Sequence, residues 1–170
     1  MSLKRLVIVM LFLSSTYSFA DFNAVVVNIV DGDTIDVIDN NSKKLRIRLL
    51  GIDAPEKKQH FGHESFFYLN RILNGQSVTI ISNPDKKKPY TLGYYKRIIG
   101  KVVMNGRDIN LEMIKKGMAW HFKKYKKSQP IGDRHSYNKA ENEARRNNIG
   151  LWFEGDPLPP WRWRKLQYKK

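Results

Sequence analysis

Cysteine is absent from the sequence, and acidic residues are few. Without cysteine the chain has no disulfide, thiolate zinc site, thiol nucleophile or lipid-modified N-terminal cysteine, and any redox compartment remains compatible. Aspartate and glutamate number 16 against 31 lysines and arginines, which gives a formal net charge of +15 over 170 residues. Such a basic chain is expected to have a polyanionic partner, and nucleic acid, anionic lipid and acidic polysaccharide all stay open.

A long apolar run is also missing. Residues 6–13 are apolar and follow two basic residues, but this run is much shorter than the roughly 20 residues of a membrane-spanning helix. Ser18 and Ala20 are small residues at the two positions that a signal peptidase reads. We therefore expect residues 1–20 to be a secretory signal peptide cleaved before Asp21, with an uncleaved anchor as the less favoured alternative. This predicts an exported protein, periplasmic or secreted, that is not held in a membrane after cleavage.

Residue periodicity and turn signals predict a barrel followed by helices. The predicted strands cover residues 24–30, 34–38, 44–52, 77–81 and 97–104, and the predicted helices cover residues 63–73, 109–116 and 137–147. The first three strands are joined by short turns and form an antiparallel meander. We predict an α+β fold: a five-stranded OB-type barrel with a helix between strands three and four and C-terminal helices.

No second domain is apparent. We predict one domain over residues 21–154 and a C-terminal tail over residues 155–170 that is rich in proline, tryptophan and basic residues. The prolines indicate an extended tail, and its tryptophans are expected to pack back on the domain. The chain is expected to be a monomer without a stable protein partner.

The stretch 46–56 carries the main candidate site. Arginines alternate with apolar residues as in a half-buried strand, which then enters a turn with Asp53 and Glu56. Asp33 opens the preceding strand, so adjacent antiparallel strands would bring the Asp33 and Asp53 carboxylates to one end of the sheet. Two such carboxylates with room for water suit Ca²⁺ or Mg²⁺, and Glu56 would orient or deprotonate a water molecule. For Asp31 and Asp33, simple hairpin chemistry remains an equally good interpretation.

Arg48 and Arg97 would complete this set. A guanidinium group stays charged and forks onto phosphate oxygens, so two arginines can neutralise charge that develops on a phosphorane. For any single strand arginine, a solvent-facing or carboxylate-paired role is the commoner outcome. The hypothesis of a phosphate site therefore depends on the whole group of residues.

With these residues in place, the sequence resembles the staphylococcal nuclease (thermonuclease) family. The resemblance is carried by Val30-Asp31-Gly32-Asp33-Thr34, Arg48-Leu49-Leu50-Gly51-Ile52-Asp53-Ala54-Pro55-Glu56, Tyr95-Lys96-Arg97, Gly117-Met118-Ala119, Ala144-Arg145 and Gly150-Leu151-Trp152. It implies an OB barrel and a Ca²⁺-dependent phosphodiesterase that cleaves DNA and RNA on the 5′ side of the phosphate and leaves 3′-phosphates.

The same resemblance implies residue roles. Asp33 and Asp53 would be direct calcium ligands together with the backbone carbonyl of Ala54, and Asp31 would be an outer carboxylate. Arg48, Glu56 and Arg97 would be catalytic. Tyr95 and Tyr125 would contact the substrate.

Two alternatives remain open at this stage. An OB-type module that binds nucleic acid without cutting it would share the barrel and the charge, although such copies typically lose the carboxylates or arginines. A cationic, membrane-active protein would be supported only by the charge and the Trp-Arg pairs of the tail. The aromatic and lysine-rich stretch 120–127 suits base stacking as well as packing into the barrel.

Overall fold

The computed structural model describes residues 20–82 and 97–167. In chain order, the strands are β1 (Ala20–Asp31), β2 (Thr34–Asp39), β3 (Lys44–Leu49), β4 (Ile52–Asp53), β5 (Ser77–Ser82), β6 (Ile98–Met104), β7 (Arg107–Asp108) and β8 (Trp120–His121). The helices are α1 (Gly62–Leu73), α2 (Ile109–Lys115), α3 (Ile131–Arg146) and α4 (Pro160–Gln167), with 3₁₀ helices at Lys123–Ser128 and Gly150–Glu154.

Five of the strands close into a barrel. β1 pairs antiparallel with β2 and with β5, β2 pairs antiparallel with β3, and β5 pairs antiparallel with β6. A parallel pairing of β3 with β6 completes the ring. The register of β1 shifts twice along β2, and such bulges bend a strand enough to let a small sheet curl. The predicted α+β fold with an OB-type five-stranded barrel and C-terminal helices is therefore confirmed.

Apolar side chains that alternate along the strands fill the barrel. Ile35, Ile47 and Ile80 are completely buried, and α1 closes the barrel with Leu69 and Leu73. A second cluster lies outside the barrel, where β8, α3 and the following 3₁₀ helix meet; it consists of Trp120, Ala144, Leu151 and Trp152, with Phe61 and Trp161 packed against it. The expectation that a tail tryptophan packs on the domain is met by Trp161.

Several predicted boundaries differ from the structure. The third strand ends at Leu49 and not at residue 52, because Gly51 takes a positive φ of 76° and turns the chain. Ile52 and Asp53 then pair with β8. Helix α3 begins six residues before its predicted start, at Ile131. No helix within the two described ranges has the length and apolar character needed to cross a membrane.

The prediction of an extended tail is wrong. Residues 160–167 form the helix α4, which begins at Pro160. Proline suits the first position of a helix because its missing N–H would have no intrahelical acceptor there, and its fixed φ is already helical. The prolines at 157, 159 and 160 therefore precede or begin the helix and do not interrupt it.

Candidate active site

An open cleft of about 1370 Å³ lies at the end of the barrel where β2 begins and β3 ends. All of the predicted metal and catalytic residues, together with the outer carboxylate, line this cleft: Asp31, Asp33, Arg48, Asp53, Ala54, Glu56 and Arg97. Tyr95 lies outside the described residues, as does the side chain of Tyr125. The carboxylates and arginines that the sequence scatters over more than sixty positions thus meet in one place.

Strand register brings the first acid to the site. Thr34 pairs with Arg48, and the Leu49 N–H donates to the Asp33 carbonyl at 2.8 Å, so the start of β2 lies beside the end of β3. The loop before β2 also approaches α1 closely at Gly32. A Cβ at this position would collide with the Ser65 hydroxyl and with Ala54, so only glycine allows this approach.

Arg48 joins the two predicted metal-binding acids. One of its terminal nitrogens, Nη2, lies 2.8 Å from Asp33 Oδ2 and 2.9 Å from Asp53 Oδ1. The two acids are almost inaccessible, with 6% of Asp33 and 1% of Asp53 exposed. Burial of two like charges is costly unless a cation compensates it, and Arg48 supplies that cation.

The environment of Asp33 favours its neutral form. Burial raises the pKa of Asp33 well above its usual value; the Arg48 charge opposes this rise, and the neighbouring Asp31 and Asp53 carboxylates add to it. The carboxylate accepts hydrogen bonds from the Ala54 backbone N–H at 2.7 Å and from the Thr34 hydroxyl at 3.1 Å. The two hydrogen bonds fix the orientation of the Asp33 carboxylate.

A third arginine enters the site from the C-terminal helix. Arg164 Nη1 lies 2.6 Å from Glu56 Oε1, and Arg164 Nη2 lies 2.8 Å from Asp53 Oδ2. Arg164 was missed in the sequence reasoning, which gave the tail no place in the site. The available signal was Pro160, which suits a helix start and so predicts a helix that carries Trp161 and Arg164 on one face, three residues apart.

Basic and aromatic residues form another wall of the cleft. This wall contains Phe122, Lys123, Lys124, Arg145, Trp161 and Lys165. Lys123 is held by buried Glu141 at 2.6 Å, and Glu141 also accepts the His121 backbone N–H at 3.0 Å. Burial lowers the pKa of His121, which favours its neutral form. In the stretch 120–127, Trp120 packs into the cluster outside the barrel and the lysines are exposed, whereas base stacking by this stretch stays a prediction.

The acids of the cleft offer the hard oxygen donors that Ca²⁺ and Mg²⁺ prefer. Because one nitrogen of Arg48 contacts both Asp33 and Asp53, a single positive centre can reach both carboxylates. Within residues 20–82 and 97–167, no group of three or more His, Asp or Glu side chains could hold a metal ion. The residues fit a site with two carboxylates whose coordination is completed by backbone, water or phosphate oxygens.

Comparison with known proteins agrees with this geometry. The family model described as "Staphylococcal nuclease homologue" matches residues 46–154. An uncharacterized endonuclease of Escherichia coli is 38% identical over 146 residues, covering 85% of this chain and 86% of the relative. An uncharacterized endonuclease of Haemophilus influenzae is 36% identical over 142 residues, covering 84% and 72%. A micrococcal nuclease of Shigella flexneri is 34% identical over 168 residues, covering 96% and 92%.

Proposed function

This chain belongs to the staphylococcal nuclease family and is a nuclease, and we propose that it is a calcium-dependent phosphodiesterase of DNA and RNA that leaves 3′-phosphates. The observation that carries this proposal is the convergence of Asp33, Asp53, Glu56, Arg48 and Arg97 on one cleft. A binding module without activity would not need a glutamate beside two buried acids and two arginines.

The metal would be held by the Asp33 and Asp53 carboxylates and the Ala54 carbonyl. When bound there, Ca²⁺ supplies positive charge that polarises a water molecule and a phosphate oxygen. The Ala54 carbonyl belongs to the same residue whose N–H already fixes the Asp33 carboxylate at 2.7 Å. Two of the three proposed ligands are thus oriented relative to each other by the backbone.

Glu56 would act as the base. Its carboxylate is one-third exposed at the cleft, so a water molecule can reach it. It accepts a proton while the water oxygen forms a bond to phosphorus and the bond from phosphorus to the 5′ oxygen breaks. The bonding electrons leave with the 5′ oxygen, which takes a proton from solvent, and the products are a 3′-phosphate and a 5′-hydroxyl group.

Arg48 and Arg97 would stabilise the charge that develops on the phosphate. Guanidinium groups donate forked hydrogen bonds to equatorial oxygens, and the low exposure of Arg48, 17% of its side chain, strengthens its contacts. The remaining basic wall would contact phosphates along the strand. Phosphate contacts carry no sequence information and are common to both polymers, which is why we propose that DNA and RNA are both cleaved.

We also propose that the protein is exported. The support is the sequence pattern of residues 1–20, a short apolar run that follows basic residues and ends in small residues. Mass spectrometry of the protein recovered from periplasm or medium would give Asp21 as the first residue. A chain that retains residues 1–20 in the cytoplasm would contradict export.

The activity is tested with end-labelled DNA and RNA oligonucleotides in Ca²⁺, in Mg²⁺ and in EGTA. We expect cleavage of both polymers in Ca²⁺, no cleavage in EGTA, and products that a 3′-phosphatase alters. The Asp53→Asn variant serves as the control, because it removes the negative charge of a proposed ligand but keeps the size of the side chain. Cleavage in EGTA would contradict metal dependence, and binding of both polymers without cleavage in any divalent metal would favour the non-catalytic module.

A further inference from the structure

The C-terminal segment contacts the turn of Glu56 from two sides. Arg164 Nη1 pairs with the Glu56 side chain at 2.6 Å. On the backbone side, Gln59 Oε1 accepts the Glu56 N–H at 3.2 Å, and Gln59 Nε2 donates to the Leu158 carbonyl at 2.6 Å. Gln59 is buried, so its amide has few alternative partners. Both the main chain and the side chain of Glu56 are therefore tied to residues 158–164.

The helix that carries Arg164 is anchored by aromatic packing. The Trp161 ring lies 6.3 Å from Trp120 and 5.7 Å from Phe122, measured between ring centroids. Pro160 at the start of the helix is buried. Because Trp161 and Arg164 are three residues apart, they lie on the same face of α4, and the anchored tryptophan fixes where the arginine can reach.

We propose that Arg164 is a positioning residue for Glu56 and that α4 therefore contributes a functional side chain to the active site. The proposal rests on the proposed function, since it needs Glu56 to act on the attacking water. A glutamate on a turn with one-third of its side chain exposed has several rotamers available. Arg164 selects one of them by binding Glu56 Oε1 and, at the same time, Asp53 Oδ2 at 2.8 Å.

This contact differs from an ordinary surface ion pair. Arg164 makes three hydrogen bonds to two acids, the third from Nη1 to Asp53 Oδ1 at 3.3 Å. Its partner Asp53 is 1% exposed, so solvent screens this part of the contact less than the Arg164–Glu56 pair, in which about one-third of both side chains is exposed. A guanidinium that bridges the two acids sets the distance between the proposed base and a proposed metal ligand. Arg164 lies beyond residues 46–154, the range that the family model matches.

The test is a double-mutant cycle of Arg164→Ala with Glu56→Gln, measured as single-turnover cleavage and as kcat and KM in saturating Ca²⁺. We expect Arg164→Ala to lower kcat by about 10- to 100-fold with little change in KM, since outer partners of a site typically have effects of this size. In the Glu56→Gln background the same change is expected to have almost no further effect, because the carboxylate to be positioned is already gone.

Two further variants separate positioning from folding. Arg164→Lys keeps the positive charge but cannot donate forked hydrogen bonds, so its kcat is expected to lie between those of Arg164→Ala and the unchanged protein. Arg162→Ala is the matched control: it removes an exposed arginine of the same helix that does not line the cleft, and kcat should stay as in the unchanged protein. If Arg164→Ala does not melt cooperatively, Arg164→Lys takes its place in the cycle.

The outcomes are distinguishable. An Arg164→Ala protein that cleaves at least as fast as the unchanged protein would overturn the positioning role. The role would also be overturned if Arg164→Ala lowered kcat by the same factor in the unchanged protein and in the Glu56→Gln background. If Glu56→Gln alone keeps full activity, the part of the proposed function that makes Glu56 the base fails, and the positioning role fails with it. If Glu56→Gln is inactive and Arg164→Ala is fully active, only the role of Arg164 is rejected.

Discussion

Asp33 and Ala54 are joined by a 2.7 Å hydrogen bond from the Ala54 N–H to Asp33 Oδ2, although 21 positions separate them in the chain. This bond connects the start of β2 to the turn after β4, and both residues line the cleft. The proposed metal-binding oxygens are therefore held by the barrel itself before any ion is bound. Such preorganisation reduces the reorganisation that binding requires.

The raised pKa of Asp33 predicts how stability depends on pH. Its folded-state pKa lies above the reference value of 3.8, so the folded protein holds this proton more tightly than the unfolded chain. The stability that Asp33 contributes is present below pH 3.8 and is lost as the pH rises through the raised pKa. Asp33→Asn has no such proton to lose. In EGTA, the free energy of unfolding of Asp33→Asn should therefore rise relative to that of the unchanged protein as the pH increases above about pH 4.

The measurement is urea unfolding of both proteins in EGTA across this pH range. A difference in unfolding free energy that is independent of pH, or a loss of stability of Asp33→Asn relative to the unchanged protein towards high pH, would contradict the raised pKa. Saturating Ca²⁺ should stabilise the unchanged protein, by about 2.7 kcal/mol at about 100 times its dissociation constant, and Asp33→Asn much less.

Arg48→Ala should destabilise the protein more than a surface arginine would. Arg48 is 17% exposed, and its removal leaves Asp33 and Asp53 buried without their shared cation. Removal of one partner from a buried ion pair costs about 3–5 kcal/mol, and Ca²⁺ should recover part of this loss because it compensates the same two acids. Thermal melts with EGTA and with Ca²⁺ would show this. Equal destabilisation in both conditions would contradict a metal at these carboxylates.

Gly32→Ala should disturb both folding and activity. The new Cβ would collide with the Ser65 hydroxyl and with Ala54, and overpacking of this kind costs about 1–3 kcal/mol. The matched control is Gly132→Ala in α3, where a Cβ meets no atom within 4 Å and where alanine should stabilise by about 0.4–1 kcal/mol. The free energy of unfolding in urea and the cleavage rate would be measured for both variants and compared with those of the unchanged protein. A Gly32→Ala protein with normal stability and activity would contradict the close approach of the loop to α1.

Lys165→Ala tests the basic wall of the cleft. Lys165 is exposed and lines the cleft, so its loss should raise KM, leave kcat nearly unchanged and reduce the salt dependence of DNA binding by about one counterion. Lys115→Ala in α2 removes an exposed lysine that does not line the cleft and serves as control. Binding isotherms at several salt concentrations give the slope. If the binding constant of Lys165→Ala depends on salt concentration as steeply as that of the unchanged protein, a contact between Lys165 and the nucleic acid is excluded.

The sequence predicts those parts of the site that strand alternation and short turns determine. Alternation along β3 and the short turn between β2 and β3 determine the register that pairs Thr34 with Arg48, and that register brings Asp33 to the end of β3. The acidic turn that follows is only a few residues long, so Asp53 and Glu56 have little freedom to lie elsewhere. This is why the predicted carboxylates and Arg48 occupy one cleft.

The C-terminal part of the site depends on contacts that local patterns do not encode. Arg164 is 111 positions from Asp53, and it reaches the site because Trp161 finds a surface formed by Trp120 and Phe122. The pairing of β4 with β8 likewise joins distant segments. Such docking is decided by the shape and burial of the assembled surface, which neither periodicity nor a turn signal reports.

The role of Glu56 is tested most directly by the single-turnover rate of Glu56→Gln, measured with saturating oligonucleotide and Ca²⁺ beside a binding assay of the same variant. We predict a rate that falls by about 10²- to 10⁴-fold, the usual contribution of a general base, with oligonucleotide affinity and melting temperature nearly unchanged. A Glu56→Gln protein that cleaves at the rate of the unchanged enzyme would contradict the assignment of Glu56 as the base of this cleft.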